Sequence, residues 1–384
     1  MELIYNGKKT KEAILGMQNN YSFSAPWNKK NNLLIQGDNF SSMQILLQEY
    51  NLEGRVDFIY IDPPFATNSV FAIGDDRTST VSPGGKDKIA YSDKLVGADF
   101  LEFLRERLIP AHKMLSKNGS IYLHIDYKIG HYVKIIMDEI FGIENFKNDI
   151  TRIKCNPKNF SRRAYGNIKD LILFYSKTKN NIWHNPCEPF SDDDIKRLYK
   201  KIDKNGRLYT TIPLHAPGET KTGVTGGEFK GLKPPPGRHW RSDPKELEEL
   251  DRRGLIEWSS NEVPRKIIYA DEQKGKKMQD IWDFKDYQYP AYPTEKNLSL
   301  LKHLIESSSN EDSIIFDFFC GSGTTLVAAQ ELGRKWIGID KSEEAIKITK
   351  QKLSQCSPEL FSAHEYDFLT IQSKAKLKQA AANQ

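Results

Sequence analysis

The residues best suited to chemistry stand at positions 62–65, where Asp-Pro-Pro-Phe directly follows the apolar run 58–61. A short apolar run of this kind predicts a buried strand. The two prolines must end that strand, because proline lacks an N–H and fixes its own φ angle. The strand therefore delivers a carboxylate, two stiff residues and an aromatic ring to its end. One interpretation is a plain turn; the other is a site that accepts hydrogens and stacks a flat group.

A second candidate site is the segment 317–325, which reads DFFCGSGTT. Small residues between a strand and a helix let a ligand approach the backbone and the helix N-terminus. The segment is not a P-loop, which requires a lysine that is absent here. It is not a full dinucleotide fingerprint either, because Leu326 stands where the third glycine is needed. The pattern favours a ligand with an adenosyl part and a cationic or amino-acid part over a pyrophosphate.

Two further acidic residues follow predicted strands. Asp340 ends the run KWIGID at 335–340, and an acidic residue at this junction can hold ribose hydroxyls. The alternative is that the glycine segment is a tight turn and Asp340 a helix cap. Asp38 follows the strand 32–37 and could cap the helix after it, a role compatible with ligand binding.

Strands and helices alternate around these positions, which is typical of a parallel α/β sheet. Strands are predicted at 32–37, 56–61, 120–125, 170–176, 313–319 and 335–340, and helices at 39–50, 100–115, 127–141, 294–307, 326–333 and 343–353. Between about 180 and 286 the pattern is different, rich in Gly, Pro and Thr, with one short helix that Ser242 or Asp243 would cap and that ends at Gly254. We interpret this region as a separate lobe.

The composition fits a protein with a packed core. The chain has 384 residues, of which 38% are hydrophobic and 28% charged. We expect no transmembrane helix and no signal peptide, because long apolar runs are missing. The four cysteines form no Cys-x-x-Cys pair and the histidines show no ligand spacing, so we expect no metal site. A reduced, cytoplasmic location is the default expectation.

Positive charge is concentrated between positions 147 and 183. This stretch holds nine Lys or Arg residues against two Asp, a local net charge of +7. Such a stretch fits a surface that contacts phosphates. A solvated lysine-rich face is the alternative, and on charge alone the two interpretations are evenly weighted.

Four segments taken together resemble one family: IDPPF, DFFCGSGTT, GID and YPTEKN. They are similar to the motifs of DNA amino-methyltransferases that use S-adenosylmethionine. The order, with DPPF before the glycine segment and a variable lobe between them, resembles the beta group, which includes modification subunits of type III restriction systems and related type II enzymes. The resemblance covers roughly residues 31–355. It implies an α/β, Rossmann-like methyltransferase sheet with circularly permuted motif order and an inserted target-recognition lobe.

The resemblance also divides the chain. It implies a catalytic half at 1–179, a target-recognition lobe at 180–286, a cofactor-binding half at 287–370 and a flexible tail at 371–384. Two departures are visible. The family usually has Pro-Thr-Gln-Lys-Pro where this chain has PTEKN, and many relatives have Tyr in place of Phe65. Both rings can stack, so the second departure does not put activity in doubt.

Site residues are carried over by matching motifs. The catalytic set comprises Asp62, Pro63, Pro64 and Phe65. The cofactor set comprises Asp38 at the adenine end, Asp340 at the ribose, Thr294 and Lys296 near the methionine carboxylate, and the segment Asp317, Phe318, Phe319, Cys320, Gly321, Ser322, Gly323 and Thr324. Candidate DNA contacts are Arg162, Arg163, Arg238 and Arg241, for which phosphate contact or plain surface is as good an interpretation as base reading.

The resemblance implies methyl transfer to the N6 amino group of a flipped adenine in double-stranded DNA, within a restriction-modification system. Asp62 favours adenine, because cytosine-N4 enzymes of this family more often carry Ser there. Three alternatives stay open: cytosine-N4 transfer, a non-catalytic DNA-binding subunit with this fold, and methylation of RNA or a protein glutamine. Asp62 and the large lobe argue against the last. A separate restriction subunit and a homodimer are expectations by resemblance.

Overall fold

The computed structural model describes residues 2–64, 70–73, 78–79, 88–92, 97–157, 163–220, 223–259, 263–288, 290, 295–356 and 366–375. These residues form two compact units, each with its own core. The larger unit comprises Met1–Pro186 and Gln279–Gln384, and the smaller unit comprises Cys187–Met278. The smaller unit lies inside the range 180–286 that the sequence analysis assigns to a lobe.

The larger unit contains the helices α1 (Lys11–Leu15), α2 (Asn39–Gln48), α3 (Gly97–Met114) and α4 (Gly130–Phe141) before the smaller unit. Its strands there are β1 (Tyr21–Phe23), β2 (Asn32–Gln36), β3 (Val56–Ile61), β4 (Val70–Ile73), β5 (Thr78–Ser79), β6 (Lys88–Ser92), β7 (Leu115–Ile125), β8 (Phe146–Ile153) and β9 (Lys169–Ser176).

The smaller unit contains the helices α5 (Asp192–Leu198) and α6 (Pro244–Arg252). Its strands are β10 (Cys187–Glu188), β11 (Lys201–Ile202), β12 (Leu208–Pro213), β13 (His215–Pro217), β14 (Arg238–Trp240), β15 (Ile256–Trp258), β16 (Pro264–Tyr269) and β17 (Lys276–Lys277).

The chain then returns to the larger unit. The returning strands are β18 (Ile281–Trp282), β19 (Ile314–Asp317), β20 (Lys335–Asp340) and β21 (Tyr366–Ser373), and the returning helices are α7 (Leu298–Ser308), α8 (Thr324–Glu331) and α9 (Glu343–Gln355).

One mixed sheet organises the larger unit, with the strand order β1-β21-β2-β20-β19-β3-β7-β9-β8-β18 among the described residues. The six strands from β21 to β7 are parallel, whereas β9 is antiparallel to both β7 and β8. This is the predicted Rossmann-like sheet. The segment that carries Asp-Pro-Pro precedes the smaller unit and the glycine segment follows it, as the permuted motif order requires.

The sheet has a switch point between β19 and β3. From β19 the chain continues to β20 on one side, whereas from β3 it continues to β7 on the other side. Ligands of open α/β sheets bind beyond the carboxyl ends of the strands at such a point. The central strands are buried on both faces, which explains why 58–61 reads as an unbroken apolar run rather than an alternating one.

Two predictions about elements were wrong. Residues 371–373 are not part of a flexible tail, because β21 extends to Ser373 and pairs with β1 and β2. The range 66–98, to which the sequence analysis assigns no strand, contains the three-stranded sheet β5-β4-β6 among its described residues. Strand pairing stabilises both segments, and neither pairing partner is visible in the local sequence pattern.

The smaller unit has its own sheet, β11-β12-β16-β15, and a separate pair, β13-β14. Its core is formed by five buried side chains: Leu214, Phe229, Trp240, Leu247 and Ile256. The predicted short helix is α6; Asp243 caps it by accepting a hydrogen bond from the backbone N–H of Lys245 at 2.9 Å. In the ranges that the structure covers, no helix combines the length and apolar character that crossing a bilayer requires.

Candidate active site

The two predicted site segments lie side by side at the switch point. Strands β3 and β19 are parallel neighbours, with Phe58 opposite Ile315 and Ile59 opposite Phe316. Both strands therefore end at the same edge of the sheet. Asp62 is the first residue after β3, and Asp317 is the last residue of β19. The tertiary structure thus joins a segment from before the smaller unit with one from after it.

The two carboxylate oxygens of Asp62 have different surroundings. The ammonium of Lys296 lies 2.7 Å from Oδ2, and both side chains are largely buried. The other oxygen, Oδ1, is buried and has no hydrogen-bond partner among the described residues. A buried acceptor without a donor is costly unless a donor arrives from elsewhere. Asp62 is therefore held at one oxygen and presents the other as an acceptor.

The glycine segment is held in an open conformation by the neighbouring strand and helix. Gly321 and Gly323 have positive φ angles, +51° and +77°, which glycine adopts without steric cost. The N–H of Gly321 donates to Asp340 Oδ2 at 2.9 Å, and its carbonyl accepts from Thr349 Oγ1 at 3.0 Å. The helix α8 starts directly after Gly323. The segment offers backbone groups and a helix N-terminus to a ligand.

Asp340 holds this segment rather than capping the helix that follows. Its Oδ1 accepts from the N–H of Ser342 at 2.8 Å, and Ser342 is itself the cap of α9. Burial raises the pKa of Asp340, and the backbone donors oppose that shift. A carboxylate has about four acceptor positions, so these two bonds leave capacity for ribose hydroxyls.

Asp317 is fully enclosed at the end of β19. Its carboxylate accepts from the N–H of Phe319 at 3.0 Å and from the hydroxyl of Thr325 at 2.6 Å. Burial raises the pKa of Asp317 to about 7, and the negative charges of Asp62 and Asp340 act in the same direction, against those two bonds. The carboxyl therefore resists ionisation in the folded protein.

This shift predicts a pH-dependent stability that Asp317→Asn should remove. The folded pKa of about 7 exceeds the ordinary value of 3.8, so stability falls as the pH rises through that window. Asparagine cannot ionise. Between pH 5 and pH 8 the free energy of unfolding should fall by about 2–3 kcal/mol more in the wild type than in the variant. Chemical denaturation at both pH values measures this, and equal losses in both proteins would contradict the prediction.

Asp38 does cap a helix, and it also contacts a polar cluster that includes the buried residues Arg107 and Asn39. Its Oδ1 accepts from the N–H of Ser41 at 2.9 Å, and Arg107 lies 3.1 Å from its Oδ2. Arg107 also donates to Asn39 Oδ1 at 2.6 Å, and Asn39 donates to the carbonyl of Phe318 at 2.8 Å. The cluster connects α3 through α2 to the glycine segment.

Sequence reasoning missed Asn39 and Arg107. The available signal was that Arg107 occupies the apolar face of α3, between Leu104 and Leu108, where the residue is 6% exposed. A buried arginine needs partners, so its position pointed to an acidic or amide neighbour.

The remaining predicted residues are distributed as follows. Phe65, Thr294 and Arg162 lie outside the described residues. Pro63 is buried and Pro64 half-buried. The ring of Phe318 is in the hydrophobic core, so only its backbone can face a ligand. Cys320, Ser322 and Thr324 are buried, and Lys352 donates to Ser322 Oγ at 3.1 Å. Arg163, Arg238 and Arg241 are exposed.

Two of the candidate DNA contacts belong to the smaller unit. Arg238 lies on β14, and its NH1 is 3.1 Å from His215 Nδ1 on β13. Arg241 donates to the carbonyl of Pro213 at 3.2 Å. Among the residues that the structure describes, no group of three or more His, Cys, Asp or Glu side chains is arranged to hold a metal ion.

Comparison with known proteins finds related sequences over most of the chain. Residues 56–351 match the profile of an N6/N4 methyltransferase family described as DNA methylase. The chain is 39% identical over 334 residues to the type II methyltransferase M.EcaI of Enterobacter cloacae, covering 85% of this chain and 71% of that protein. It is 27% identical over 343 residues to the type III StyLTI Mod subunit of Salmonella typhimurium, covering 79% of this chain and only 50% of that subunit.

Solved structures that match the chain include the complex of M1.HpyAVI with SAM. That structure is 18% identical, with a TM-score of 0.44, covering 83% of this chain and 98% of the other. The PvuII cytosine-N4-specific DNA methyltransferase is 15% identical, with a TM-score of 0.45, covering 87% and 89%.

Proposed function

The chain belongs to the N6/N4 DNA methylase family, and on this premise we propose that it is a site-specific DNA methyltransferase acting on the N6 amino group of adenine. The observation that carries the proposal is the Asp62 carboxylate, whose Oδ1 has no hydrogen-bond partner among the described residues and lies at the switch point beside the glycine segment. A buried acceptor at this position is suited to a donor group on a substrate, such as an exocyclic amino group.

The chemistry required is nucleophilic attack by a poor nucleophile. The lone pair of an exocyclic amino nitrogen is delocalised into the base, and the base lies inside the duplex until it is flipped out. Asp62 Oδ1 and the Pro63 carbonyl are suited to accept the two amino hydrogens, which directs the nitrogen lone pair outward. Positive charge that develops on the nitrogen is stabilised by the carboxylate. Lys296 holds Oδ2, so the acceptor is in place before the base arrives.

The flipped base needs a flat partner. Phe65 follows Pro64 directly and lies outside the described residues. We assign it the stacking role that the family resemblance implies, since aromatic rings stack on bases without sequence preference. The stiff Asp-Pro-Pro segment fixes the direction in which the chain continues toward this ring.

The cofactor is S-adenosylmethionine, which supplies the electrophilic methyl group. The residues around the cleft fit it: the positive-φ glycines leave the backbone open, and the acidic side chains suit ribose hydroxyls and a sulfonium. Asp317 to Thr324, Asp340 and Asp38 would hold it, together with Thr294 and Lys296. An ammonium has three donors, so Lys296 can contact a cofactor carboxylate and Asp62 together.

Adenine is favoured over cytosine by the acidic residue at position 62, and cytosine-N4 transfer is the second candidate. A non-catalytic DNA-binding subunit is disfavoured, because both the acceptor and the glycine segment are intact. We assign target recognition to the smaller unit, with Arg238 and Arg241 as candidate DNA contacts. The names of the type II and type III relatives support a place in a restriction-modification system, with a restriction subunit as a separate partner.

Nucleoside analysis of methylated DNA tests the target base. Purified chain and S-adenosylmethionine are incubated with unmethylated DNA, which is then digested and analysed by mass spectrometry. We expect N6-methyladenine, and modification-sensitive sequencing of the same DNA should give one sequence context. N4-methylcytosine instead would overturn the adenine assignment and establish the second candidate. DNA binding without cofactor binding or methylation would identify a non-catalytic subunit.

A further inference from the structure

Three buried polar side chains on β3, β7 and β9 form a hydrogen-bonded series near Asp62, the Tyr60–His124–Asp170 chain. The hydroxyl of Tyr60 on β3 lies 2.9 Å from His124 Nδ1 on β7. His124 Nε2 lies 3.4 Å from Asp170 Oδ2 on β9. All three residues are 2% exposed or less. None of them is among the residues that motif matching assigns to the site.

The strand register brings this chain next to the catalytic carboxylate. Strands β3 and β7 pair Ile61 with Leu123, so the next residues along them are Asp62 and His124. Tyr60 precedes Asp62 by two residues, the spacing at which strand side chains share a face. The Tyr60–His124–Asp170 chain therefore lies close to Asp62, at the edge of the sheet where β3 and β7 end.

Burial determines the protonation states of His124 and Tyr60, and these decide which group donates each hydrogen bond in the Tyr60–His124–Asp170 chain. Burial lowers the pKa of His124, so the imidazole is neutral and has one N–H. The carboxylate of Asp170 requires that N–H on Nε2, which leaves Nδ1 to accept from the Tyr60 hydroxyl. Burial and the nearby charge of Asp62 raise the pKa of Tyr60 well above its ordinary value, so the phenol keeps its proton.

Two cations hold Asp170, which is the β9 end of the Tyr60–His124–Asp170 chain. Lys154 lies 2.7 Å from Asp170 Oδ1, and Arg152 NH1 lies 3.8 Å from Oδ2. Arg152 is fully buried, and its Nε donates to the carbonyl of Phe284 at 2.7 Å. Asp170 therefore has a fixed position, and through it the tautomer and orientation of His124 are fixed.

Stability alone does not account for these groups. Replacing buried polar or ionic networks with apolar residues of similar size is often neutral or stabilising, because desolvation offsets their attraction. A neutral His124 also adds no second positive charge beside Asp62. Lys296 thus remains the cation paired with Oδ2, and Oδ1 stays available to a substrate.

We propose that Tyr60, His124 and Asp170 form a positioning chain that fixes the end of β3 and thereby orients Asp62 for methyl transfer. This inference rests on the proposed function. The three are positioning residues, because they act through Asp62 and not on the substrate. Their removal should slow the chemical step, while cofactor and DNA binding persist.

The test compares Tyr60→Phe with Tyr122→Phe in single-turnover methylation at saturating DNA and cofactor. Tyr122 lies opposite Tyr60 in the pairing of β3 with β7, is equally buried, and its hydroxyl lies 2.6 Å from Ser308 Oγ. Tyr60→Phe should lower the rate about 10- to 100-fold with cofactor affinity unchanged, whereas Tyr122→Phe should leave the rate within about twofold of wild type. Melting temperatures show whether the two losses of a hydroxyl cost similar stability.

A double-mutant cycle provides the second measurement. His124→Phe removes both bonds of the imidazole, so adding Tyr60→Phe to it should cause little further loss of rate. A wild-type rate in Tyr60→Phe would overturn the proposal, as would equal slowing by Tyr122→Phe or additive effects in the cycle. If the wild-type chain itself transfers no methyl group, the proposed function fails and this inference fails with it; an active wild type with an unaffected Tyr60→Phe variant overturns this inference alone.

Discussion

Asp62→Ala is expected to abolish methyl transfer while S-adenosylmethionine still binds. The substitution removes Oδ1, the buried acceptor, and the negative charge that stabilises positive charge developing on the amino nitrogen. Loss of one such electrostatic contact costs about 100- to 1000-fold in rate, and Asp62 supplies both the charge and the acceptor, so we expect at least about 1000-fold. The bonds that hold the glycine segment do not involve Asp62, so they persist.

Single-turnover transfer of a labelled methyl group to DNA measures the rate, and calorimetric titration measures cofactor affinity. Asp57→Ala is the matched control. Asp57 lies at the other end of β3, where its carboxylate accepts from Ser116 Oγ at 2.7 Å. Its loss should lower the melting temperature without a comparable loss of rate. Transfer to adenine by the Asp62 variant at a rate near that of the control would refute the assigned role.

Gly323→Ala has the second largest expected effect, on cofactor affinity and stability together. A Cβ at this position would lie 2.6 Å from Thr349 Cγ2 and 3.0 Å from its Cβ. Thr349 is fully buried, and its hydroxyl donates to the Gly321 carbonyl, so it cannot rotate away without releasing the segment. The positive φ costs about 1–2 kcal/mol for alanine. Overpacking adds about 1–3 kcal/mol.

If the glycine segment of the Gly323→Ala variant shifts in the free protein, part of this strain is relieved. Cofactor binding must then return the segment to its wild-type conformation, at a cost in binding free energy. Each 1.4 kcal/mol or so of such cost weakens affinity about tenfold, so we expect at least about a tenfold loss. Gly333→Ala is the control, because Gly333 follows α8, has φ +69°, and a Cβ there would have no atom of the described residues within 4 Å. It should lose about 1–2 kcal/mol of stability with cofactor affinity unchanged. Equal affinity in both variants would contradict the prediction.

The local sequence pattern predicted the bounds of an element where a buried apolar run ends at a proline or a helix begins at a capping residue. Strand β3 has the predicted bounds because its apolar run is buried on both faces and ends at two prolines. Strand β20 also has its predicted bounds, and α6 starts after Asp243, one of the two residues predicted as its cap. Helix α7 starts at Leu298, four residues later than predicted, because Asn297 caps it by accepting from Ser299 and Leu300.

Long-range pairing could not be predicted from such patterns. Strand β21 was assigned in part to a tail, because its partners β1 and β2 are more than 300 residues away in the chain. The contacts of Arg107 and His124 could not be predicted for a similar reason. A buried polar side chain has meaning only through its partners, and those partners come from other strands and helices.

The sequence by itself determined the chemistry that the chain can carry. It placed an acceptor with stiff neighbours at the end of one apolar strand and an open glycine segment at the end of another, because strand ends and proline or glycine punctuation are local properties. Only the tertiary structure decided how these are used. Sheet order made β3 and β19 neighbours and set His124 beside Asp62, and the segment before α7 placed Lys296 at one oxygen of Asp62, whereas the other oxygen has no partner among the described residues. Such contacts join residues far apart in the chain, so they depend on the packing of the whole sheet.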